Sequence, residues 1–263
     1  MNEFRLDPES LSFTLVTKED PACKACIEKE KARESVPFKH GFARIYEIKD
    51  DVQTSKFELS GEIFKSSNAH GYEEIIVDDE NHKDAFKTYI QDDIEKLLMI
   101  LVEQTIYIEK YDLGQNLVIK REMNAHGYFD LLVLPVPKKE SKTCFECESI
   151  KNTGNREVYK TEHFIIYVPF APKYNFELII APKKHIPFSA ADPVILFDMA
   201  GIIKRVVNSY NNINSWAIVQ DANNHFKIKL FGKDVDPYEI AGVRKITTNP
   251  DVLAKTIRDD KKI

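Results

Sequence analysis

The chain has 263 residues, of which 43% are hydrophobic and 30% are charged, and its formal net charge is −5. These values are typical of a globular protein with a substantial core, and they exclude a largely disordered chain. No apolar run approaches the roughly 20 residues that a membrane span needs, and the negative charge argues against nonspecific nucleic-acid binding. The N-terminal residues lack the pattern of a signal peptide, so we expect a cytoplasmic protein without a membrane partner.

The first half of the chain contains a recognisable series of elements. A short apolar run at residues 74–77 predicts a buried strand. Residues 84–108 carry apolar side chains at intervals of three and four, which predicts a long amphipathic helix. Two further strands are predicted at residues 116–121 and 131–134.

A linker follows this series. Residues 135–142 read Pro-Val-Pro-Lys-Lys-Glu-Ser-Lys, and proline mixed with charged residues is typical of a connection between units. We therefore place a boundary here and predict an N-terminal domain at residues 1–137 and a C-terminal domain at residues 138–263.

The second half repeats the order of the first. Strands are predicted at residues 177–180, 216–220 and 228–231, and a helix is predicted at residues 192–210, after the first of these strands. Because strand, helix, strand and strand recur in the same order, internal duplication is the simplest account of the chain.

All four cysteines of the chain lie in two Cys-x-x-Cys pairs, and two histidines follow each pair in register. In each set the two histidines are a similar distance apart, namely 126 − 82 = 44 positions and 225 − 185 = 40 positions. Thiolate and imidazole are ligands that zinc prefers, and a closed set of four is typical of a structural site. The sequence therefore predicts two zinc ions per chain, bound by Cys23, Cys26, His82 and His126 and by Cys144, Cys147, His185 and His225.

Other interpretations of these residues explain less. A thioredoxin-like redox motif or a pair of buried cysteines would not require histidines in register. A zinc finger that reads nucleic acid places its histidines a few residues apart, not 40 or more. A remaining alternative is that only one of the two sites binds zinc. His40, His70 and His163 have no counterparts in the other half, and we expect them to be packed or surface residues.

Alternation along a strand identifies the side chains that would lie near each metal site. Residues two apart on a strand point to the same face, so each second histidine shares a face with the next two alternate residues. Chemistry would be sought at these positions, although they could also be ordinary positions on a half-buried strand. The trios are His126, Tyr128 and Asp130 in the first half and His225, Lys227 and Lys229 in the second.

Several segments resemble the galactose-1-phosphate uridylyltransferase family, which includes ADP-sugar phosphorylases and is similar to histidine-triad proteins. Residues 5–8, Arg-Leu-Asp-Pro, resemble its opening, and residues 72–82 resemble its "HEVIVETPNH" strand and metal histidine. Residues 168–185 resemble its "PFAPRFPFEVWILPKRH" segment. Residues 238–242 and 249–258 resemble its ending, so the resemblance extends along most of the chain.

This resemblance implies an α+β fold of two tandem histidine-triad-like units. Each unit would contain an antiparallel sheet, a long helix and a Cys2His2 zinc site, and the protein would form a homodimer. The resemblance also implies transfer of a nucleotidyl group between a nucleoside-diphosphate sugar and a sugar 1-phosphate or phosphate. In that reaction a histidine attacks the α-phosphorus and holds the nucleotide covalently.

The chain departs from the family at that histidine. The family motif His-Pro-His-x-Gln falls on His-Gly-Tyr-Phe-Asp at residues 126–130. Tyr128 therefore stands at the position of the nucleophile, and Asp130 stands at the position of the glutamine that would hydrogen-bond the phosphate. A carboxylate repels a phosphate unless it is protonated or bridged by a cation. In the second half Lys227 stands at the position equivalent to the nucleophile.

The sequence thus predicts a zinc-binding protein of nucleotidyltransferase fold that binds a nucleotide or nucleoside-diphosphate sugar without a histidine nucleophile. Such a protein is a candidate pseudoenzyme. One alternative is an active transferase or phosphorylase with another nucleophile, for which Tyr128 with Asp130 as base is the candidate pair. A second alternative is a non-catalytic interaction protein stabilised by zinc.

Overall fold

A computed structural model of the chain describes residues 3–17, 32–38, 41–48, 59–63, 65–78, 86–111, 116–123, 127–135, 143–221 and 224–259. Within these ranges the chain has a mixed α+β fold, which confirms the predicted class. No helix within them is long and apolar enough to cross a membrane.

Fourteen strands are found among the described residues. In chain order they are β1 (Glu3–Leu6), β2 (Phe13–Val16), β3 (Glu34–Phe38), β4 (Gly41–Ile48), β5 (Ser66–Asn68), β6 (Tyr72–Val77), β7 (Asn116–Glu122), β8 (Tyr128–Leu134), β9 (Glu157–Lys160), β10 (Phe164–Tyr167), β11 (Glu177–Pro182), β12 (Ser215–Gln220), β13 (Lys227–Phe231) and β14 (Val243–Ile246). Each of the six strands predicted from the sequence lies within one of these, so their positions are confirmed.

Five α-helices and three short 3-10 helices are found in the same ranges. The α-helices are α1 (Gln91–Glu109), α2 (Phe145–Lys151), α3 (Pro193–Ser209), α4 (Pro237–Ala241) and α5 (Pro250–Asp259). The 3-10 helices are Phe86–Thr88, Gly154–Arg156 and Phe188–Ala190.

The two long helices match the sequence prediction to different degrees. Helix α3 begins where predicted, because the Asp192 carboxylate accepts a hydrogen bond from the Ile195 amide at 3.0 Å and Pro193 occupies the first turn. Helix α1 begins later than the predicted residue 84. The carboxylate of Asp93 accepts the Ile90 amide at 3.1 Å and so fixes the helix start at Gln91.

Ten of the strands form one antiparallel sheet. Their order is β3-β4-β6-β8-β7-β12-β13-β11-β10-β9. The central pair is β7 and β12, in which Glu122 lies opposite Ser215 and Leu117 lies opposite Gln220. From this centre the strands follow in equivalent order in both directions, so one sheet contains strands from both sides of the predicted boundary.

Helices cover one face of the large sheet, and a smaller sheet packs against the other. Helices α1 and α3 contact each other and bury the apolar residues of the first face, where Trp216 lies 5.5 Å from both Phe86 and Phe129 between ring centroids. The small sheet has the order β14-β2-β1-β5. Its residues and those of α4 contribute to a second apolar cluster with residues of the large sheet.

A buried ion pair lies in the helix-covered layer. The Arg121 Nη1 atom is 3.0 Å from each carboxylate oxygen of Asp78, and both side chains are fully buried. The guanidinium also lies 4.8 Å from the ring centroids of Phe86 and Phe129. Removing one partner of such a pair leaves a charge in an apolar environment, which is costlier than the pair itself.

We expect Asp78→Ala to lower the free energy of unfolding by about 3–5 kcal/mol, because the buried Arg121 would keep its charge and lose the carboxylate of Asp78. Urea-induced unfolding would measure the change. Asp251→Ala is the matched control, because Asp251 pairs with Arg5 at 2.8 Å but its side chain is 80% exposed. That variant should lose less than about 1 kcal/mol. Equal losses in the two variants would contradict the role given to the buried pair.

Candidate metal centre

The second predicted ligand set comes together at one end of the large sheet. Cys144 is the N-cap residue of α2 and Cys147 lies in its first turn, while His185 follows β11 and His225 precedes β13. One ligand atom from each of the four side chains lies within 4.8 Å of all the others. Residues from three separate parts of the second half therefore meet in one cluster.

The distances suit a tetrahedral metal ion. The Cys147 Sγ atom lies 3.2 Å from His185 Nδ1 and 3.3 Å from His225 Nδ1, and Cys144 Sγ lies 3.4 Å from His225 Nδ1. With zinc–sulfur bonds of about 2.3 Å and zinc–nitrogen bonds of about 2.0 Å, tetrahedral angles separate the two atom types by about 3.5 Å. The four residues thus fit a closed structural zinc site.

Contacts around the cluster select the ligand atoms. The Nε2 atom of buried His225 lies 2.9 Å from the Pro182 carbonyl oxygen, so Nε2 carries the proton and Nδ1 presents its lone pair to the cluster. Burial lowers the pKa of His225, which favours the neutral imidazole that binds metals. Burial raises the pKa of the Cys147 thiol, so a bound cation would be needed to hold the sulfur as a thiolate.

A charged side chain between the two cysteines fixes α2 on the sheet. Glu146 is buried, and its carboxylate lies 2.5 Å from the Lys227 Nζ atom and accepts a hydrogen bond from the Tyr167 hydroxyl. Lys227, which the sequence resemblance aligns with the nucleophile position, forms an ion pair here. This arrangement supports a structural role for the second site. The sequence analysis did not single out Glu146, although a charged residue between the two cysteines of a Cys-x-x-Cys pair could have indicated its role.

The first predicted ligand set cannot be placed. Cys23, Cys26, His82 and His126 all lie outside the described residues, so this set stays a prediction. Of the remaining histidines, His70 is buried and His163 is partly buried, while His40 lies outside the described residues.

Tyr128 and Asp130 lie on the same side of β8, as strand alternation predicts. Tyr128 is partly buried and packs against a cluster of apolar residues made of Tyr46, Ile48, Ile75 and Val77. Asp130 is 6% exposed.

A lysine lies across from Asp130 on the adjacent strand. Lys120 of β7 pairs with Asp130 in the strand register, is 5% exposed, and places its Nζ atom 2.7 Å from a carboxylate oxygen of Asp234. Sequence reasoning did not single out Lys120. The signal was a lysine directly after the apolar residues 117–119 of this strand, but the residue opposite it could be known only from the register.

Comparisons with known proteins bear on the sequence resemblance. No family model matches the chain. The chain is 26% identical over 190 residues to galactose-1-phosphate uridylyltransferase from Thermotoga maritima. The match includes 64% of this chain and 58% of that protein, which is less than two thirds of its length.

Solved structures share the fold. A uridylyltransferase structure aligns with a TM-score of 0.67 and 18% identity and covers 98% of this chain and 97% of that chain. An ADP-glucose phosphorylase from Arabidopsis thaliana with bound ADP-glucose aligns with a TM-score of 0.59 and 17% identity and covers 98% of this chain and 99% of that chain. The resemblance to the galactose-1-phosphate uridylyltransferase family and its ADP-sugar phosphorylase relatives is therefore confirmed.

We expect Cys147→Ser to lower the zinc bound by the purified protein by one equivalent per chain, because it removes a sulfur from the cluster. Elemental analysis would count the zinc, and thermal unfolding should show a lower midpoint. A bound ion at a hundred times its dissociation constant contributes about 2.7 kcal/mol of stability. Lys151→Ala, on the same helix and with an exposed side chain, is the control. Unchanged zinc content in Cys147→Ser would exclude this cluster as a zinc site.

Proposed function

Given its resemblance to the galactose-1-phosphate uridylyltransferase family, we propose that this protein is a zinc-binding relative with a nucleotidyltransferase fold that binds a nucleotide or nucleoside-diphosphate sugar. It does so without the histidine nucleophile of the family, because Tyr128 occupies that position. The observation that carries the proposal is the placement of Tyr128 and Asp130 on one face of β8, with Lys120 opposite Asp130.

Lys120 changes the electrostatics expected from the sequence. A carboxylate alone would repel a phosphate, and Lys120 brings a positive charge beside it that is shared with Asp234 at 2.7 Å. Lys120 and Asp130 are buried, so solvent screens their interaction with a ligand only weakly. An anionic ligand near β8 would therefore meet Asp130, Lys120 and Asp234 together and not an isolated carboxylate.

The surroundings of Tyr128 favour binding over covalent catalysis. A phenol has an ordinary pKa near 10 and attacks phosphorus only when a base or a cation activates it. The apolar cluster against which Tyr128 packs, Tyr46, Ile48, Ile75 and Val77, supplies neither a base nor a cation.

We extend the proposal to the organisation of the chain. Two zinc ions per chain are supported by the geometry of the second ligand set and by the equivalent spacing of the first in the sequence. Duplication into two tandem units at residues 1–137 and 138–263 is supported by the equivalent strand order on both sides of β7 and β12. A homodimer follows from the family resemblance, and the cytoplasm would keep the cysteines reduced.

Restoring the histidine and the glutamine of the family motif should create covalent chemistry. We expect the double variant Tyr128→His with Asp130→Gln to form a nucleotidyl adduct with a UDP- or ADP-sugar that survives denaturation, because imidazole needs no deprotonation at neutral pH to act as a nucleophile. Mass spectrometry of the denatured protein would detect the added mass. The unmodified protein should bind the same nucleotide reversibly and raise its thermal midpoint.

Tyr128→Phe separates the proposal from its alternatives. It keeps the ring but removes the hydroxyl, so we expect it to bind nucleotide like the unmodified protein. An adduct in the unmodified protein that disappears in Tyr128→Phe would instead establish a tyrosine nucleophile. If neither nucleotide sugar raises the thermal midpoint of the unmodified protein, nucleotide binding is wrong and the interaction-protein alternative is favoured.

A further inference from the structure

A groove lies between the edge of the large sheet and helix α3. It has a volume of about 420 Å³ and is lined by β9, β10 and the turn between them on one side and by α3 on the other. Its α3 wall includes Val194 and Phe197, which are 63% and 50% exposed. Large apolar side chains grouped around an open groove are typical of a binding surface.

The strand beside the groove has an open edge. β9 is the last strand of the sheet, and no described strand pairs with its outer side. All four of its residues are exposed. An unpaired strand edge presents backbone amide and carbonyl groups to which an extended peptide can add as a further strand.

Two carboxylates lie at one end of the groove, where the Lys183 Nζ atom also donates to the Thr161 carbonyl oxygen, and a guanidinium lies at the other end. The Asp198 carboxylate accepts a hydrogen bond from the Thr161 hydroxyl at 2.6 Å through Oδ2, and exposed Glu162 lies at the same end. Arg205 lies two helical turns further along α3, about 10 Å away along the axis. Among the described residues the Arg205 guanidinium has no carboxylate partner and contacts only the Tyr159 ring, at 5.3 Å.

The walls of the groove are held in place by hydrogen bonds. Asp198 ties the turn after β9 to α3 through Thr161, and the Gln91 side chain donates to the Phe197 carbonyl oxygen at 2.9 Å. A Cβ atom at Gly201 would lie 3.0 Å from the Gln91 side chain, so the absence of a side chain there lets Gln91 cross α3. A groove with fixed walls needs little reorganisation when a ligand binds.

We propose that this groove binds an extended segment of a partner protein, which adds to β9 as an eleventh strand. Adjacent strands of the large sheet are all antiparallel, so we expect the added strand to run antiparallel to β9. β9 leads from Tyr159, beside Arg205, toward Thr161, beside Asp198. The added strand therefore runs from Asp198 to Arg205.

This direction determines the chemistry of the partner segment. Side chains that face α3 recur at every second position of a strand, about 7 Å apart. A basic residue would pair with Asp198 and Glu162, an apolar residue two positions later would lie over Gly201 and Ile202, and an acidic residue two positions after that would pair with Arg205. The recognised pattern is thus basic-x-apolar-x-acidic, in that order.

Two peptides of identical composition test the order of charges. The first is Lys-Ser-Ile-Ser-Glu, blocked at both ends and labelled with a fluorophore, and the second is its reverse, Glu-Ser-Ile-Ser-Lys. Fluorescence anisotropy with the full chain should show saturable binding of the first, at least tenfold tighter than binding of the second. Equal affinities, or no binding of the first, would overturn the proposal.

Variants locate the binding. Arg205→Glu should weaken the first peptide at least tenfold, whereas Arg244→Glu makes the same charge change at an exposed position of β14 and should leave binding unchanged. Phe197→Ala should also weaken binding, and Phe170→Ala, at a residue that is 88% exposed outside the groove, is its control. These side chains are exposed, and an unchanged thermal midpoint would verify that each variant folds. Equal changes in peptide affinity in a variant and its control would exclude the groove as the binding site.

Strand addition itself has a separate readout. Every second backbone amide of an added strand points toward β9. N-methylation of the first peptide at those amides should weaken binding, whereas N-methylation at the intervening amides should not. If neither set of N-methylated peptides binds more weakly, the groove binds side chains or small molecules instead, and the strand-addition proposal is wrong.

Discussion

The pairing of β7 with β12 is the constraint on which the rest of the structure depends. Six residue pairs, from Glu122 opposite Ser215 to Leu117 opposite Gln220, join the strands of the two halves into one sheet. Because both strands are central, a single apolar layer under α1 and α3 serves both halves. This continuity also fixes where the metal cluster, β8 and the edge groove lie relative to one another.

The two halves of the chain carry different side chains at equivalent positions beside their predicted metal sites. In the second half, Lys227 forms an ion pair with Glu146 next to the cysteine–histidine cluster. In the first half, the residue between the cysteines that corresponds to Glu146 is Ala25, and the corresponding strand residue is Tyr128. The two halves thus share an order of elements but differ in the charges placed beside each predicted site.

Sequence patterns predicted most of the elements, because each depends on local chemistry. The strands were indicated by short apolar runs, and α3 by its cap at Asp192 and its apolar stripe. The start of α1 was misplaced, because Phe86 continues the helical spacing although it lies in a separate 3-10 turn. The cysteine–histidine spacing predicted the second cluster, whereas the neighbours Lys120 and Glu146 depend on strand register and on the packing of α2. Neither of those can be read from periodicity.

The small sheet joins the two ends of the described chain, since β14 pairs in parallel with β2 and Arg5 of β1 forms an ion pair with Asp251 of α5. During synthesis the first strands leave the ribosome long before residues 243–246 exist. One edge of β2 must therefore wait for the end of translation before it is paired, and open strand edges in incomplete chains favour aggregation. Loss of residues 243–246 would therefore leave one edge of β2 unpaired at the opposite end of the chain.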